Sequence, residues 1–193
     1  MKYWELLLTA IGLSMDAFAV AVTIGITSKA DTAEKPVMVK RGIITGLYFG
    51  FFQGLMPLIG YLLGTQFADK ISAFDHWVAF VLLAIIGARM VIGSLKKDED
   101  EPQKVSMKPS KMLPLAIATS IDALAVGVSF AMVGTQIVPA VLTIGVTTFA
   151  LSFVGVFIGK AFGGRFKSKA ELLGGIILIL IGLKILIEHL FFQ

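Results

Sequence analysis

The sequence predicts an all-α polytopic membrane protein, six transmembrane helices arranged as two inverted three-helix repeats. Three observations predict it. The chain of 193 residues is 56% hydrophobic and only 16% charged, against about 25% charged in soluble domains. Its apolar residues gather into six stretches, each near the ~20 residues a helix needs to cross a ~30 Å hydrocarbon core. Finally, Ser14-Met15-Asp16-Ala17-Phe18-Ala19-Val20-Ala21-Val22 and Ser120-Ile121-Asp122-Ala123-Leu124-Ala125-Val126-Gly127-Val128 read almost alike, 106 residues apart.

The six stretches are 4–27, 42–64, 76–95, 112–133, 138–160 and 170–192. They are continuous rather than short and alternating, which favours helices over a closed barrel. The first follows Lys2 and shows no small-residue cleavage site, so it reads as a retained span rather than a secretory signal. The second holds Gly46, Gly50 and Gly54 at the four-residue spacing that lets helix backbones approach in lipid, and Pro57, which bends a helix. The third contains Ile86-Gly87-Ala88-Arg89 and the fourth the second aspartate motif. Gly155, Gly159 and Gly163 mark the fifth, and Ile181-Gly182-Leu183-Lys184 the sixth. Gly46, Gly60 and Gly64 recur as Gly145, Gly159 and Gly163, offset by 99, and the third span matches the sixth at an offset of 95.

Three spans per repeat is an odd number, so the second repeat enters the bilayer upside down, the plan of many secondary transporters. The chain then divides into a first repeat (1–95), a charged cytoplasmic linker (96–111) and a second repeat (112–193). The linker's Asp98-Glu99-Asp100-Glu101, flanked by lysines and Pro102, reads as a solvated loop rather than a metal sensor. Thirteen basic residues follow spans 1, 3 and 5, among them Lys40, Arg41, Lys96, Lys97, Lys160 and Arg165; only Lys2 and Lys70 lie on the other side. That asymmetry puts those loops in the cytoplasm and both termini outside.

The same placement explains the net charge of +4 as a topology signal, with no nucleic-acid partner implied. With no cysteine there is no disulfide, zinc ribbon or thiolate chemistry. No HExxH, Walker A, nucleophile elbow or Gly-rich phosphate loop is present. The expectation is a protein that is no enzyme, binds no permanent cofactor and does not hydrolyse ATP by itself.

Candidate site residues follow from the cost of a carboxylate in hydrocarbon, several kcal/mol unless compensated. Asp16 lies about 18 Å along its span and Asp122 about 15 Å along its own, at 1.5 Å per residue. Sharing a helical face with Asp16 are Gly12, Ala19, Val20 and Thr23; with Asp122, Ala118, Ala125, Val126 and Ser129. Small neighbours leave room for an ion, and Thr23 and Ser129 offer neutral oxygens. Ser14 and Ser120 point to the opposite face, as packing groups. Gln53, mid-span, is either a further oxygen ligand or an interhelical hydrogen-bonding group. Arg89 and Lys184 are charge partners, in a static pair or neutralising the aspartates when no metal is bound. Carboxylate, hydroxyl and carbonyl oxygens suit Mg²⁺, Ca²⁺ or Mn²⁺, while zinc and copper favour His and Cys; His76 and His189 sit at span ends as interfacial residues. On ligand chemistry alone, the substrate is a hard divalent cation.

With these residues in hand, the chain resembles the small bacterial manganese efflux pump family (MntP) over nearly its whole length. The resemblance rests on Gly12-Leu13-Ser14-Met15-Asp16-Ala17-Phe18-Ala19, Pro57-Leu58-Ile59-Gly60, Ala116-Ile117-Ala118-Thr119-Ser120-Ile121-Asp122-Ala123 and Ala170-Glu171-Leu172-Leu173-Gly174-Gly175. It implies a six-span protein of the bacterial plasma membrane that exports Mn²⁺ as its substrate, with the acidic-site role falling on Asp16 and Asp122. Some members carry a glutamate where this chain has Gln53. Two rival readings stay open at this point: a carrier of another divalent cation or small cationic solute, and a non-transporting scaffold fastened by Asp–Arg and Asp–Lys pairs. A homo-oligomer is compatible with any of them.

Overall fold

The computed structural model describes residues 3–27, 35–71 and 107–162, with scattered positions within 80–92 and 172–187 that are also helical. Five helices are defined: α1 (Tyr3–Thr27), α2 (Lys35–Ile71), α3 (Pro109–Thr119), α4 (Ile121–Met132) and α5 (Ile137–Phe162). Among the described residues there is no strand. Among the described residues, three helices are long and apolar enough to cross a membrane, within Tyr3–Ile26, Lys35–Gln66 and Ile137–Ala161. A fourth crossing is available if α3 and α4, bent by 40° at a short break, count as one span. The expected third and sixth spans, the linker and most of its charges lie largely outside the described residues.

α1 and α5 match the expected first and fifth spans within two residues. α2 is longer than the expected 42–64: its 37 residues begin at Lys35. Pro36 falls in the first turn, where a missing N–H costs nothing. The turns up to Arg41 present Lys35 and Lys40 as exposed side chains, so the basic end is helical rather than a loop.

The helices pack through backbone contacts that only glycine permits. α1 crosses α5 where Gly25 abuts Val156 O and Gly159 abuts Val22 O. α4 crosses α2 where Gly127 abuts Pro57 O and Gly60 abuts Leu124 O. α2 and α5 cross each other along Gly46, Gly50 and Gly54: a Cβ on Gly50 would stand 2.8 Å from Gly145 O, and one on Gly46 2.9 Å from Phe149 O. The predicted close-packing glycines therefore do face neighbouring helices, Gly163 lying outside the described residues. Two buried clusters fill the spaces between helices. One gathers Leu13, Met15 and Phe18 of α1 with Ala123, Val126 and Phe130 of α4 and Ala140 and Ile144 of α5. The other joins Ala17, Ala21 and Ile24 of α1 to Met38 and Phe49 of α2, Met112 and Ala116 of α3, and Val156.

Candidate metal-binding site

Asp16 stands in α1 between residues of the two clusters, and Asp122 stands in α4 beside a residue of the first. Met15 and Ala17, flanking Asp16, belong to different clusters. Ala123, next to Asp122, belongs to the first cluster, and Ala116 of α3 to the second. Asp16 and Asp122 are both half-buried. Measured from the glycine crossings, their places differ by a turn. Asp16 precedes Val22 by six residues and Asp122 precedes Leu124 by two, about 9 Å and 3 Å along their helices.

The surroundings of Asp122 were not expected. The span carrying it is interrupted at Ser120, whose φ of −108° and ψ of 5° leave the helical region. The Ser120 N–H bonds Ile117 O at 3.1 Å instead of the carbonyl four residues back. That carbonyl, Ala116 O, is taken by two hydroxyls, Ser120 Oγ at 2.8 Å and Thr119 Oγ1 at 3.1 Å. Asp122 thus lies in the first turn of α4, where unpaired N–H groups and the helix dipole favour a negative charge. The Ala123 N–H donates to Asp122 Oδ1 at 2.9 Å. Ser120 is therefore a break-former more than a packing group.

α1 runs unbroken through the matching Ser14. Its hydroxyl is fully buried, bonded to Ala10 O, and lies 2.7 Å from Thr148 Oγ1 on α5. Ser14 does face away from Asp16, toward α5.

Gln53 reaches across from α2 to α1. It is completely buried, and its Nε2 donates to Leu13 O at 3.0 Å, a carbonyl that the helix aims at the Asp16–Ala17 turn. Its Oε1 is buried with no hydrogen-bond partner. Pro57 has no N–H to offer the Gln53 carbonyl one turn back, which leaves a second oxygen of the same residue short of a donor. Thr23 and Ser129 bend back on their own helices, to Ala19 O at 3.1 Å and Ala125 O at 3.2 Å. Among the described residues, no three His, Cys, Asp or Glu side chains form a metal cluster, so a site here must draw on neutral oxygens as well as carboxylates. Arg89, Lys184, His76 and His189 lie outside the described residues.

Sequence reasoning passed over several buried polar groups: Glu5, 7% exposed, and Thr9, Thr45, Thr148 and Ser152, each 0–1% exposed. Their signal was available as polar residues inside apolar spans, but hydroxyls are common there.

Long apolar helices and glycine-mediated crossings define the class, a multi-pass helical membrane protein. Residues 35–186 match the family described as "Mntp: Putative manganese efflux pump". The chain belongs to that family. A protein of Desulfitobacterium hafniense (strain Y51) is 54% identical over 188 residues, covering 97% of this chain and 96% of its own. One from Acetivibrio thermocellus is 52% identical, covering 96% and 91%, and one from Clostridium perfringens (strain 13) is 48% identical, covering 98% and 96%. Each carries the name "Putative manganese efflux pump MntP". No solved structure matches the chain.

Proposed function

We propose that this chain is a secondary transporter that exports Mn²⁺ from the cytoplasm across the bacterial plasma membrane. In this reading two inverted repeats alternate access to a midplane site made by Asp16 and Asp122. The observation that carries it is membership of a family whose relatives are named manganese efflux pumps. The site reading is supported by one half-buried carboxylate in each of two like motifs inside apolar helices. The repeat architecture is supported by the crossings: Val22 and Gly25 meet Val156 and Gly159 as Leu124 and Gly127 meet Pro57 and Gly60. From Pro57 to Val156 and from Gly60 to Gly159 the offset is 99, the same as that of the matching glycines.

The division of labour follows from chemistry. Two carboxylates neutralise a divalent charge that the bilayer interior would otherwise penalise. Gln53 Oε1 adds a neutral oxygen beside Asp16, of the kind Mn²⁺ accepts. Thr23 and Ser129 would join only on turning away from their present carbonyl partners. Arg89 and Lys184 would balance the aspartates when no metal is bound, which gives protons or cations a route to compete with metal. Inside-out vesicles test the whole: Mn²⁺ uptake by the wild type should fall to the level of empty vesicles in Asp16→Asn and in Asp122→Asn. Full uptake by either variant removes the paired-aspartate site, and Mg²⁺ or Cd²⁺ outcompeting Mn²⁺ would reassign the substrate.

A further inference from the structure

Several buried hydroxyls in the described helices satisfy themselves on the carbonyl one turn back. Thr9 bonds Glu5 O, Ser14 bonds Ala10 O and Ser129 bonds Ala125 O. Thr45 and Ser152 do not: both are 0% exposed, and neither Thr45 Oγ1 nor Ser152 Oγ has a hydrogen-bond partner. Leaving a buried polar group unpaired is costly, so each is either strained or holds a partner from outside the chain.

The two belong to one place. On α2, Thr45, Phe49 and Gln53 share a face. That face looks onto α1, because Phe49 packs with Ala17, Ala21 and Ile24, and Gln53 bonds Leu13 O. On α5, Ser152 stands one turn from Thr148, which pairs with Ser14, and just before Gly155, which abuts Phe18 and Ala21. Both hydroxyls therefore border α1 from either side of the α2–α5 crossing. Thr45 is about 15 Å from the basic start of α2 at Lys35, Ser152 about 12 Å from Lys160, and Asp16 about 17 Å from the end of α1, at 1.5 Å per residue. The three stand at a similar depth.

We propose that Thr45 and Ser152 bind water between α1, α2 and α5 and form a hydrated inner vestibule that brings the cation, still carrying water, to Asp16. This rests on the transport reading above. Neutral hydroxyls suit water, or the water shell of a divalent cation, better than a bare ion.

The chain has no cysteine, so Thr45→Cys and Ser152→Cys each introduce a unique thiol of nearly the same size. A thiol reacts as its thiolate, which forms readily in water and poorly in apolar surroundings. A permanently charged methanethiosulfonate applied to inside-out vesicles should modify both at least about tenfold faster than Leu47→Cys. Leu47 is the control because it lies on the same helix near the same depth, with its side chain 58% exposed on the outer surface. Mn²⁺ in the buffer should slow the reaction.

Rates no faster than the control's at both positions overturn the proposal, and would mean that the hydroxyls turn back onto their own helices as Ser14 does. Fast reaction indifferent to Mn²⁺ also overturns it, because the water would then lie off the cation's route. Labelling needs no transport, so loss of the paired-aspartate reading in the uptake assay would be seen separately.

Discussion

Gln53 is the residue in which sequence and structure meet most directly. A glutamine in the middle of a span could have been an interhelical hydrogen bond or a ligand; the geometry shows the bond, from Nε2 to Leu13 O, and leaves Oε1 buried without a partner. Replacing it by leucine should remove an interhelical bond worth about 1 kcal/mol and also an oxygen from the Asp16 side of the site. The expected result is a small drop in thermal midpoint with a much larger drop in the rate of Mn²⁺ uptake. Gln53→Glu should do the opposite at the site, tightening apparent Mn²⁺ affinity in vesicle uptake and making it more sensitive to acid. Unchanged affinity in both variants would leave Gln53 a purely structural bond. Asp16 and Asp122 stood out in the sequence as candidates because a carboxylate inside an apolar run is costly enough to require compensation. Thr45 and Ser152 did not, because a hydroxyl in a span usually closes on its own helix and only packing reveals which ones do not.

At the scale of the helix, two nearly identical motifs take different forms. Leu13-Ser14-Met15-Asp16 continues α1, whereas Thr119-Ser120-Ile121-Asp122 separates α3 from α4. The difference is physical and lies one residue before the serine. Thr119 adds a second hydroxyl to Ala116 O, and the two together displace the backbone donor; Leu13 has none to add, and Ser14 is also held by Thr148. The change was present in the sequence, but the likeness of the motifs concealed it. Thr119→Leu combined with Ser120→Ala should restore the Ser120 N–H to Ala116 O bond, straighten the 40° bend and withdraw the helix N-terminus from Asp122. Mn²⁺ uptake should then fall sharply while the protein remains folded in the membrane. Ser14→Ala should behave differently, costing about 1 kcal/mol of stability with little change in apparent Mn²⁺ affinity. Equal effects of the two changes on uptake would show that the break has no special role.

For the whole molecule, the glycine spacing of the second and fifth spans foretold that those helices approach neighbours closely, while the partner of each helix emerges only from packing. α1 does not pack chiefly on α2, its neighbour in sequence, but on α5, and α4 lies on α2. Each of these crossings is reciprocal: a glycine on either helix lies against a carbonyl of the other. Backbone carbonyls cannot swing aside as a side chain can, so a methyl at Gly60 or Gly159 forces the helices apart. That exposes the small-residue contact on which association in lipid depends. Gly60→Ala and Gly159→Ala should each lose about 1–3 kcal/mol, read as a lower thermal midpoint in detergent and reduced abundance in the membrane. The two losses should be alike, since Leu124 O and Val22 O occupy matching places. Gly145→Ala, whose new Cβ would stand 3.1 Å from Gly50 O, should lose clearly less. A wild-type midpoint in both Gly60→Ala and Gly159→Ala would mean that the helices do not cross at these glycines, and the matched pairs that support two inverted repeats would lose their footing.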